Sequence, residues 1–165
     1  MNRFGMKAGA CLLLASALVG APALAAGPDL KVKLEGNHRS NTTNAGWATL
    51  SDKTTVVPGD EILYSVLVSN DGDREARHAS AVGPIPPGTT FILDTASRPH
   101  GVTVDYSLDG GKTFSAAPTL SVTGKDGKAQ TLPAPAERYT TVRWVWDAPL
   151  AAGAKASVSY RVKVR

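Results

Sequence analysis

Cysteine is all but missing from this 165-residue sequence. Its single thiol, Cys11, lies inside a segment that reads as a secretory signal. Arg3 and Lys7 supply a positive start, residues 8–19 are apolar, and Ala23-Leu24-Ala25 gives the small-x-small pattern of a cleavage site. Cys11 precedes most of the apolar residues instead of sitting at the cleavage position, so lipidation is not expected. The exported chain, from about residue 26, would then carry no cysteine. That excludes disulfide staples, thiolate nucleophiles and cysteine-based metal sites, although the compartment reached is an oxidising one.

Long hydrophobic runs are also absent. The apolar stretch near the start is about a dozen residues, against the roughly 20 that a bilayer-spanning helix needs. No membrane span is expected, and without a twin-arginine pair general secretion is the simpler route. A periplasmic or secreted location follows.

Neither sign of charge dominates. Of 18 basic residues two leave with the signal, against 14 acidic ones, so the exported chain carries +2. Nothing in that balance points to nucleic acid as a partner. A helical period of 3.6 is missing too, since no stretch after residue 26 sustains it for three turns. The remaining 140 or so residues suffice for one domain with an ordinary core.

What is present is alternation. Ile62, Tyr64, Val66 and Val68 share one side of a strand that starts after Pro58-Gly59-Asp60 and ends at Asn70-Asp71-Gly72-Asp73. Leu30, Val32 and Leu34 alternate with charged residues, which predicts a half-buried first strand. A short strand is read at residues 47–50 and a weaker one at 75–82, closed by the proline-rich 83–88. Extended structure resumes at 89–93, at 102–108 and at 120–123. Asp109-Gly110-Gly111 should turn the chain tightly into a strand at 112–114. Residues 132–137 read as a Pro/Ala-rich connection. Two clear strands close the chain, with Val142, Trp144 and Trp146 on one face, then Val158, Tyr160, Val162 and Val164. An all-β fold is implied: one Ig-like antiparallel β-sandwich over residues 50–165, after a signal at 1–25. The strand and polar linker at 26–49 belong to the same sandwich.

Several of these pieces occur in a particular order: Pro58-Gly59-Asp60, then Val66-Leu67-Val68-Ser69-Asn70-Asp71-Gly72-Asp73, then Ile85-Pro86-Pro87-Gly88-Thr89-Thr90-Phe91. Tyr139-Thr140-Thr141-Val142-Arg143-Trp144 follows, with Ala152-Gly153 before Val158 and Val162-Lys163-Val164. Together, over roughly residues 50 to 165, they resemble the bacterial cell-surface repeat module catalogued as domain of unknown function 11. The resemblance implies an Ig-like sandwich found in secreted and surface proteins, with no catalytic residues to carry over. Many relatives come as tandem copies. One copy and no carboxy-terminal sorting signal here favour a free secreted or periplasmic protein over a cell-wall stalk.

Candidate sites are few. Ser107-Leu108-Asp109-Gly110-Gly111-Lys112-Thr113-Phe114 fits the Asp-box of sialidases, a hairpin staple in which the aspartate caps turn amides. One copy cannot build a propeller. Asn70, Asp71 and Asp73 offer oxygen ligands suited to calcium, though turn carboxylates usually accept backbone N–H bonds, and no cofactor is expected. His38, His78 and His100 have no second histidine at zinc-ligand spacing and are expected at the surface. If the last two strands pair, Arg143, Arg161, Lys163 and Arg165 would line up as a basic stripe. Its readings are adhesion to an anionic polymer or protection of a sheet edge. Trp47 is either a sugar-stacking platform or partly buried.

The function expected is therefore a non-catalytic module acting by surface interaction, with a protein or an envelope polymer as partner. The alternatives are a small glycan-active hydrolase, or a fibre subunit completed by strand exchange.

Overall fold

The computed structural model describes residues 27–43, 46–125 and 127–165. The signal segment, Cys11 and Asp126 lie outside them. Ten strands and one 3₁₀ turn at Ala136–Arg138 make an all-antiparallel β-sandwich. The larger sheet has five strands in the order β2 (Ala48–Thr49), β1 (Leu30–Arg39), β3 (Glu61–Asn70), β10 (Lys155–Val164), β5 (Thr89–Phe91). The smaller has three: β4 (Ser80–Pro84), β9 (Thr141–Trp146), β6 (Val102–Ser107). A separate ribbon pairs β7 (Thr119–Thr123) with β8 (Ala129–Pro133).

Period-two burial explains the layers. In β3, Ile62, Val66 and Val68 are at most 4% exposed, and in β10 Val158, Tyr160 and Val162 are at most 2%. Facing them from the smaller sheet are Ala81, Val104, Tyr106, Val142 and Trp144. Aromatic side chains fill the interior in two groups. Tyr160 stacks on Tyr64 with ring centres 5.4 Å apart and leans on Trp144 at 5.8 Å. Phe91, Tyr106 and Tyr139 form a triangle with sides of 5.3–5.5 Å. The two most deeply buried polar rings have partners for their polar ends, as burial demands. The Tyr160 hydroxyl donates to the Pro84 carbonyl, and the Trp144 indole N–H donates to the Ser97 carbonyl at 3.0 Å. Gly83 lies against the Tyr160 ring, where any Cβ would collide with it.

Polar side chains fix the loops. The Asn70 amide is fully buried. Its oxygen accepts the N–H groups of Asp29 and Gly72, and its nitrogen donates to the carbonyls of Arg74, Leu150 and Ala151. Asp60, 1% exposed, accepts the N–H groups of Asn41 and Val57 and sits 3.2 Å from the His38 ring. The turn it closes needs Gly59 at φ 97°, pressed against the Asn41 side chain.

Four expectations are corrected. β1 pairs with β3 along ten residues, which draws the 26–49 segment into the sandwich. Yet Leu30, Val32 and Leu34 are 37%, 52% and 43% exposed, because the smaller sheet stops short of β1. The last two strands do not pair: β9 lies between β4 and β6, and β10 between β3 and β5. Residues 112–114 form no strand, and only Ser115 bridges to Tyr106. Residues 132 and 133, read as the start of a Pro/Ala-rich connection, instead close a strand over Ala129–Pro133.

Candidate interaction surface

The outer face of the five-stranded sheet is set by register. Across β1, β3 and β10 the outward residues form rows: Lys31, Ser69, Lys155; then Lys33, Leu67, Ser157; then Glu35, Ser65, Ser159. Asn37, Leu63, Arg161 and Arg39, Glu61, Lys163 complete them. Trp47 lies one residue before β2, and continuing that ladder places it opposite Arg39, whose guanidinium sits 4.8 Å over its ring. Trp47 is 38% exposed, so it is a partly open platform with a cation on it.

Six cations therefore share one face with a track of serine hydroxyls, gathered at its two ends. At one end Lys31 bonds Asp71 at 2.8 Å and Lys33 bonds Glu35 at 2.8 Å, which raises both ammonium pKa values. At the other, Glu61 bridges Arg39 at 2.8 Å and Arg161 at 3.3 Å. Lys155 and Lys163 make no ion pair within 4 Å among the described residues. Around Leu67 the face is dished, a concavity of about 710 Å³ with Lys31, Lys33, Lys155, Ser69 and Ser157 on its walls.

Of the stripe expected from sequence, Arg161 and Lys163 are on this face and Arg143 is not. Arg143 projects from the outer side of the smaller sheet, bonded to Asp105 at 2.6 Å and stacked 4.0 Å from the Phe114 ring. Burial and that pairing make it a structural residue. Arg165 follows the end of β10, with its N–H on the Gly88 carbonyl. Lys31, Lys33, Arg39 and Lys155 were not anticipated as part of the surface. Their alternation with apolar residues marked them as outward, but only the β1-β3-β10 order brings them beside Arg161 and Lys163.

The calcium candidates do not converge. The Asn70 oxygen is occupied by two amides, Asp71 is held by Lys31 and lowered in pKa by it, and Asp73 is exposed. No group of three His, Cys, Asp or Glu suited to a metal occurs among the described residues. His38 is not a surface histidine but is half-buried on Asp60. The hydrogen bonds from Asn41 and Val57, ahead of His38, hold the Asp60 carboxyl below its usual range. The nearby Ser40 hydroxyl bonds Thr42, not the imidazole.

The Asp-box behaves as a staple. Asp109 accepts from the Thr113 hydroxyl at 2.6 Å, the Thr113 and Lys112 amides, and the Ser107 hydroxyl. These bonds, led by Thr113, push its pKa well below the carboxylate range. A carboxylate so held cannot supply a proton near neutral pH. No helix among the described residues is long and apolar enough to cross a membrane. No family model, curated protein or solved structure matches the chain.

Proposed function

We propose that the chain is an exported, non-catalytic module that binds an extended anionic polymer of the cell envelope. The observation that carries this reading is the outer face of the five-stranded sheet. It is hydroxyl-lined and dished around Leu67, with cations gathered at both ends and Trp47 at one of them. Sulfate, phosphate or uronate groups along a strand-like polymer would meet ammonium and guanidinium groups in turn, and sugar rings would find Trp47 and the Ser65, Ser69, Ser157 and Ser159 hydroxyls. The glycan-active hydrolase reading draws no support from Asp109, whose oxygens are committed to its own hairpin.

Retention on immobilised polyuronate, measured against rising salt, tests the proposal. Lys155→Glu with Lys163→Glu should weaken binding by at least about tenfold, the equivalent of roughly 1.4 kcal/mol. Arg143→Lys, on the opposite side, should leave it within about twofold of the original chain. Equal retention of all three proteins would sink the reading.

A further inference from the structure

We infer that two copies of the chain join through the free edge of β7, making a four-stranded sheet from their two ribbons. The ribbon is unusual in being only two strands wide, a width that is marginal in water. Its base is anchored, with Pro118 and Ala134 buried, but Val122 and Leu132 are 38% and 48% exposed. Leu120 lies opposite Leu132, and Val122 opposite Gln130, so the apolar side chains share one face.

The two edges of the ribbon differ. The Ala134 amide donates to the Pro118 carbonyl, and the Gly124 amide to that of Lys128. By alternation the even-numbered residues of β7 bond to β8, and Thr119, Ser121 and Thr123 aim their N–H and C=O groups at the open edge. On β8 the outward position nearest the base is Pro133, which has no N–H to offer. Other free edges of five or more residues are guarded as well: β1 by Lys31 and Lys33, β4 by Pro84, β6 by Asp105. Among the edges of that length in the described residues, only that of β7 has neither charge nor proline, and residues 113–124 and 129–136 contain no charged side chain at all.

That edge is complementary to itself. A two-fold axis at Ser121 sets Thr119 opposite the copy's Thr123, and Leu120 opposite the copy's Val122. Threonines then face threonines on one side and the apolar side chains merge on the other. The exported chain carries a net positive charge, and along this edge it meets no like charge. The inference is independent of polymer binding, which uses the outer face of the five-stranded sheet.

Sedimentation of the full chain over a dilution series should show twice the monomer mass, falling to monomer on dilution. Ser121→Lys places two ammonium groups at the axis, leaves the β7–β8 bonds intact, and should give monomer at every concentration. The paired Ser121 Cα atoms should lie about 5.5 Å apart, inside the disulfide window of about 4.4–6.8 Å. In a Cys11→Ser background, Ser121→Cys should therefore cross-link on oxidation and Thr131→Cys, on the guarded edge, should not. A monomeric original chain would overturn the inference and leave the edge to a strand of some other protein. A dimer that survives Ser121→Lys, or equal cross-linking at Thr131→Cys, would overturn it too.

Discussion

Val66 and Leu34 are cross-strand partners on the same side of the same sheet, yet Val66 is 0% exposed and Leu34 43%. Both sit in ten-residue strands of alternating character, and both alternations are equally regular. The difference comes from the other layer. Three strands cannot cover five, so β3 and β10 are roofed by β4, β9 and β6 while β1 overhangs. Alternation therefore reports which way a side chain points, and a second sheet decides whether anything meets it there.

The contrast can be broken most forcibly from the covered side. Trp144→Ala should cost about 3–5 kcal/mol, because it empties the space between the sheets and frees the Ser97 carbonyl. A urea midpoint close to that of the original chain would contradict the packing described. A finer test sets Val66→Ala, at about 2 kcal/mol, against Leu34→Ala, at well under about 1 kcal/mol. Equal losses would mean that β1 is covered in solution. The smallest effect concerns acid. Asp60, Asp71 and Asp109 all have lowered pKa values in the folded chain. Their contribution is complete above the unfolded value of about 3.9 and is lost as pH falls towards the folded ones. Thermal midpoints should be level down to about pH 4 and drop below it, and Asp60→Asn should flatten that drop.

Much of the fold was legible from residues alone. β3, β6, β9 and β10 are read correctly because each has a β-branched or aromatic residue at every second position over at least six residues. β8 was hidden because Pro133 and Ala134 look like a connection, and a proline is tolerated there only because the strand is an edge. Residues 112–114 carry strand-like chemistry, but the Asp109 carboxylate captures the Lys112 and Thr113 amides before a ladder can form. The basic surface was half legible. Parity placed Arg161 and Lys163 outward, and it placed Arg143 outward too. Nothing local says that Arg143 and Arg161 belong to opposite faces of the molecule.

β1 and β10 run in the same direction on either side of β3, so Leu30 and Val164 sit at opposite ends of the sheet. Tension applied through the two flanks of the domain is thus directed along the ladders, not across them. Antiparallel ladder bonds lie perpendicular to the strands, so such a pull shears a whole row of them at once, whereas a zipper peeled from one end gives way bond by bond. The same strand order that builds the face therefore resists a pull between these two points by shear, not by peeling.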